Sequence, residues 1–157
     1  MKTITGCLAA FVGILLAQSA AAQVPYPEGY RNWTHVKTMV INPGHALYDA
    51  FGGMHHLYAN SQAMKGYKNG KFPNGAVIVF DLLTANTQGN ATQEGARKVV
   101  GVMVKHSVRY AATGGWGFEG FKGDTRERAV GDNAATACFA CHTAQKDKDF
   151  VFSQWRK

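Results

Sequence analysis

Cys138-Phe139-Ala140-Cys141-His142 constrains this chain more than any other stretch. A C-x-x-C-H spacing is the one at which haem is attached covalently, as a c-type cofactor. On a helix, positions three and four apart share a face, so Cys138, Cys141 and His142 project together. The two thiols then meet the haem vinyl groups, and the His142 imidazole becomes the proximal iron ligand. Ala134, Ala135 and Ala137 favour that helix, and Asp132 or Asn133 is placed to cap it. The competing readings are half of a zinc site, a redox cysteine pair, or chance. A zinc centre needs four ligands, and no second cysteine pair is left in the mature chain to complete one. A thioredoxin-like pair belongs early, after a strand of a βαβ unit.

The N-terminus reads as an export signal. Met1-Lys2-Thr3 is a short positive start, Leu8 to Leu16 is an apolar core, and Ala20-Ala21-Ala22 supplies small residues, which predicts cleavage before Gln23. The apolar run is too short for a membrane anchor. Residues 1–22 are therefore expected to be a signal peptide, and 23–157 a single haem domain. Haem is attached to this motif outside the cytoplasmic membrane in bacteria, so leader and motif agree on a periplasmic protein. Cleavage removes Cys7, leaves only the two motif cysteines, and excludes a structural disulfide.

The formal charge of +7 includes only Lys2 from the leader. The other basic residues are dispersed, with no run resembling a nucleic-acid patch. Lys146-Asp147-Lys148-Asp149 alternates in sign and reads as a solvated surface. The mild positive charge suits a small acidic redox partner.

His35 to Ile41, Met54 to Tyr58, Ala76 to Leu83, Lys98 to Lys105 and Trp116 to Phe121 alternate or run apolar between turn residues, and predict five strands. Ser61 to Tyr67 predicts a short helix capped by Ser61 or Asn60. Asn69-Gly70 and Asn74-Gly75 read as tight turns, and Thr87 to Gly95 as a polar loop. The expected fold is α+β: mainly antiparallel sheet, a few short helices and a C-terminal haem-binding helix.

Pro27-Glu28-Gly29-Tyr30-Arg31-Asn32-Trp33, Gly70-Lys71-Phe72-Pro73-Asn74-Gly75, Arg109-Tyr110-Ala111, Gly115-Trp116-Gly117-Phe118 and, after the haem motif, Asp149-Phe150-Val151-Phe152 occur in that order. In this the chain resembles the cytochrome P-460 family, and within it is most similar to the c′-β branch. The resemblance implies a homodimer of mostly antiparallel sheet with one five-coordinate haem c held by Cys138, Cys141 and His142. In the hydroxylamine-oxidising branch, a lysine cross-linked to haem would stand where this chain has Phe80. A proton-handling carboxylate would stand where it has Ala144. The c′-β branch instead caps the distal side with two phenylalanines, which carry over to Phe51 and Phe80.

Strand alternation places Phe80 with Ile78 and Leu82 on one apolar face. Two phenyl rings offer no hydrogen-bond donor and no base, so the resemblance implies capture of NO and CO without stable binding of O2. That predicts NO scavenging, storage or electron transfer; the alternative is a P-460-type oxidoreductase acting on hydroxylamine or NO. A third class is an electron carrier whose iron takes a sixth ligand from His35, His45, His55, His56 or His106, or from a methionine such as Met103. Alternation sends one of His55 and His56 inward. Gly115 to Gly120 matches G-x-G-x-x-G, but it is filled with aromatics and no helix follows, which excludes a dinucleotide site. Arg126 and Arg128 are placed either to pair with haem propionates or to sit in a solvated turn.

Overall fold

In the computed structural model, which describes residues 23–156, the apolar runs form one five-stranded antiparallel sheet in chain order. Its strands are β1 (Thr34–Ile41), β2 (Gly53–Ala59), β3 (Val77–Gln88), β4 (Ala91–Lys105) and β5 (Trp116–Lys122). Helices α1 (Tyr48–Phe51), α2 (Ser61–Asn69) and α3 (Ala134–His142) complete an α+β fold. The leader expected over residues 1–22 lies outside the described residues.

Alternation divides the sheet into two apolar faces. The front face packs Ala59, Ile78, Trp116 and Phe118 beneath Ala63 and Met64 of α2 and Phe139 of α3. The back face packs Val79, Val100, Val102 and Phe121 against Val24 and Tyr30 of the N-terminal segment. Behind β3, the fully buried Asp81 accepts from Tyr30 Oη at 2.8 Å and from Arg97 Nε at 2.6 Å. Burial and the Asp81 carboxylate push the Tyr30 phenol up, which keeps it a donor.

The structure corrects the strand limits. Thr87 to Gly95 is not a loop: β3 runs to Gln88, β4 starts at Ala91, and Thr87 pairs with Thr92. Gly89 and Asn90, with φ of 57° and 64°, make the two-residue turn that suits a right-twisted hairpin. Asn69-Gly70 is a helix end, where Gly70 takes the left-handed cap with φ 79°.

Asn60 is the cap of α2 and also a cross-brace. Its Oδ1 accepts from Ala63 N at 2.8 Å and Val77 N at 3.0 Å, while Nδ2 donates to Gly75 O at 2.9 Å. Asn60→Ala is expected to lower stability by about 2 kcal/mol, the upper end for a lost cap. It should appear as a lower urea midpoint at unchanged slope.

Candidate haem site

Helix α3 lies on β5 through aromatic contacts. Phe118 meets Phe139 at 6.3 Å and His142 at 5.0 Å between ring centroids, and Phe152 also meets His142 at 5.0 Å. Cys138 is half-buried and Cys141 exposed, both as free thiols. Burial is the main cause that pushes the Cys138 thiol up, so it stays protonated. Asn133 occupies the cap position of α3 but makes no capping bond; the preceding Gly131–Asn133 segment is a 3-10 turn instead.

His142 Nδ1 donates to Phe150 O at 2.7 Å. That bond fixes the tautomer and leaves Nε2 with its lone pair, the form that binds iron. Burial holds the His142 pKa below the ordinary imidazole value, against the smaller opposing effect of the Phe150 bond, and so favours the neutral ring.

The accepting carbonyl sits in an unusual turn. Asp149 and Phe150 both adopt left-handed backbone, with φ of 53° and 65°, at a cost of roughly 1–2 kcal/mol for each such residue. Asp149 is not part of a solvated charge run. Its carboxylate accepts from Lys105 Nζ at 2.5 Å and from Phe72 N at 2.8 Å, and its carbonyl accepts from Trp116 Nε1 at 2.8 Å. Lys105 is itself buried. The lysine and these partners lie far from Asp149 in sequence, so no local pattern announced them.

Phe51 and Phe80 meet edge to face at 5.8 Å. Phe80 shares a cross-strand row with Leu57 and Gly101, and Gly101 pairs on with Gly120. The neighbouring row runs from Ile78 through Met103 to Phe118, the residue that touches His142. The two phenylalanines and the motif helix therefore share the front face. A side chain at Gly101 would press on the Phe80 ring, its Cβ only 3.3 Å from Cδ1, so the glycine gives that ring room.

His55, rather than His56, points inward. It is 2% exposed, lies 4.5 Å from Phe80 between centroids, and bonds Phe51 O through Nε2 at 2.5 Å. A carbonyl accepts, so Nε2 carries the proton and Nδ1 is a bare, buried acceptor with no partner. Burial holds its pKa below the usual imidazole value. Lys98 Nζ donates to Gly52 O at 2.8 Å, a second tie on the Phe51 turn. The phenyl pair thus has an imidazole beside it.

Other candidates are engaged elsewhere. His35 and His56 bond Thr38, and His56 also bonds Glu94. His45 and His106 accept from the Leu47 and Arg109 amides. Arg126 pairs with Glu28 at the surface, and Arg128 bonds Glu119 and Val24 O. Among the described residues no group of three or more His, Cys, Asp or Glu is disposed to hold a metal ion, so the zinc reading gains no donors. An open cavity of about 220 Å³ lined by Tyr26, Arg97 and Arg126 belongs to the back face, away from α3.

The residues present fit a flat, apolar, iron-bearing group. Two free thiols and a neutral imidazole with an available Nε2 supply attachment and ligation. Phe152 and Phe51, respectively 53% and 40% exposed, supply aromatic surface for it to cover. Residues 27–153 match the family model for Cytochrome P460. No curated protein matches the chain.

Proposed function

This chain belongs to the cytochrome P460 family, and from that premise we propose an exported c-type haem protein of the c′-β kind that takes up NO and CO beneath a phenylalanine cap. Cys138 and Cys141 would attach one haem, and His142 would hold its iron. Bound haem would supply an iron with one coordination position open to a diatomic ligand. The observation that carries the reading is the Phe51–Phe80 pair on the same sheet face as the motif helix. Neither ring can donate a hydrogen bond, and the adjacent His55 turns its single proton to Phe51 O. Stabilisation of bound O2 needs such a donor, so the pocket favours ligands that do not. The biological role follows as NO scavenging or storage, with a small redox partner completing an electron-transfer role. The same proposal includes a homodimer: Met39, Val40, Leu47 and Tyr48 are large exposed apolar residues near one end of the sheet, suited to a second copy.

Titration of the reduced, matured protein tests this. NO and CO are expected to bind and O2 to give no stable adduct. A low-spin iron indifferent to CO would refute the reading. Phe80→Leu should alter the CO on-rate, and an unchanged rate would remove Phe80 from the entry path.

One observation favours a second reading, the P460-type oxidoreductase. Hydroxylamine oxidation releases protons, and the bare Nδ1 of His55 is a buried base beside Phe80. A lysine-linked haem peptide in a digest would favour this alternative.

A further inference from the structure

The bond from His142 to Phe150 O is held in place by residues that do not touch His142. We propose that Asp149, clamped by Lys105 and Trp116, is a positioning residue that sets the strength of this bond and thereby the reduction potential of iron held at Nε2. The inference rests on the haem reading above.

Asp149 is restrained at every polar group. Its amide donates to Lys146 O at 3.1 Å, its carboxylate takes Lys105 Nζ and Phe72 N, and its carbonyl takes Trp116 Nε1. Lys105 is held in turn by Gly114 O at 3.1 Å and by the Trp116 ring, 4.9 Å from its centroid. Phe150 is restrained as well: its amide donates to Gln145 O at 2.8 Å, and its ring fills the space over Gly114, where a Cβ would lie 2.3 Å from Cε2. Two successive left-handed residues persist only where their surroundings over-determine them. The product of this clamp is one carbonyl aimed at Nδ1 of His142.

A firm bond from Nδ1–H makes Nε2 a stronger donor. A stronger donor favours the ferric state and lowers the potential. Loosening the clamp should therefore raise the potential. A purely electrostatic role for Lys105 predicts the opposite, because removing a nearby cation favours the ferric state and lowers it.

The test is spectroelectrochemistry of matured, haem-loaded Lys105→Met beside the wild type. The expected result is a higher potential, with the ferrous-to-ferric ratio at fixed applied potential raised by up to about tenfold, or 59 mV for one electron. The iron–imidazole stretch of the ferrous form should fall in frequency. Trp116→Phe removes the bond to the Asp149 carbonyl and shrinks the ring beside Lys105, but leaves the Lys105–Asp149 pair in place; it should shift both readings the same way by less, which keeps the idea testable if Lys105→Met does not fold. An unmoved or lowered potential in loaded variants overturns the clamp while leaving the haem reading intact. A wild-type protein without haem overturns both.

Discussion

Replacing Cys138 and Cys141 together by serine is expected to abolish covalent retention of haem. In the wild type, each thiol S–H would add across one vinyl group, so the porphyrin should stay with the polypeptide through denaturing electrophoresis and acidic organic extraction. In the double variant His142 alone remains, and a single coordinate bond does not survive either treatment. The single variants should each keep one thioether and remain haem-stained. Ser is close to isosteric, and Cys141 is exposed while Cys138 is half-buried, so loss of the helix is not a competing explanation. The apo fold should persist, because the sheet and its two apolar clusters are built without those side chains, apart from the marginal packing of Cys138 on the front cluster. Haem that remained attached to the double variant would overturn thioether attachment, and with it the meaning assigned to the motif. Contacts that the attached haem would make only in the folded state add stability, so the double variant, once its haem is stripped, should unfold more readily than the matured wild type.

Much of this architecture is legible without coordinates, and the parts that are not share a cause. The centres of all five strands show period-2 or continuous apolar patterning because one or both faces are buried. Thr87 to Gly95 loses that signal because both faces of the hairpin tip are in water: Thr87, Gln88, Ala91 and Thr92 are all exposed. There the geometry is carried by the Gly89-Asn90 turn, which polar composition disguised as a loop. The haem motif is readable because its chemistry is confined to five consecutive residues. Placing Phe51 and Phe80 together required a family resemblance, since the pair is joined by packing across a helix end and a strand. Asp149 shows the limit most clearly. Its neighbours Lys146, Asp147 and Lys148 are exposed as alternating charge suggests, yet Asp149 turns inward to a lysine on β4. Side-chain partners brought together by the sheet leave no local periodicity to find.

Asp81→Ala is expected to be the most destabilising single change behind the site, by about 3–5 kcal/mol, the range for removing one member of a buried ion pair. Asp81 is fully buried, and its loss strands Arg97, whose own side chain is 12% exposed, together with the Tyr30 hydroxyl. Asp124 also pairs with Arg97 but is 76% exposed, and a screened surface carboxylate replaces little of what is lost. Asp81→Asn should cost less, because its amide oxygen can still accept from one of the two donors. The change should appear as a melting temperature lowered by on the order of 10 °C, together with a lower urea midpoint. Its consequence for ligand binding is predicted to be small. Asp81 belongs to the back face of β3, while Phe80, one residue earlier, belongs to the front face with Gly101 and the row next to Phe118. Matured Asp81→Ala should therefore bind CO normally well below its melting temperature, although it unfolds early. Loss of CO uptake in a protein still folded by far-ultraviolet circular dichroism would mean that the back-face network sets the cap through β3. That outcome would refute the division of labour between the two faces.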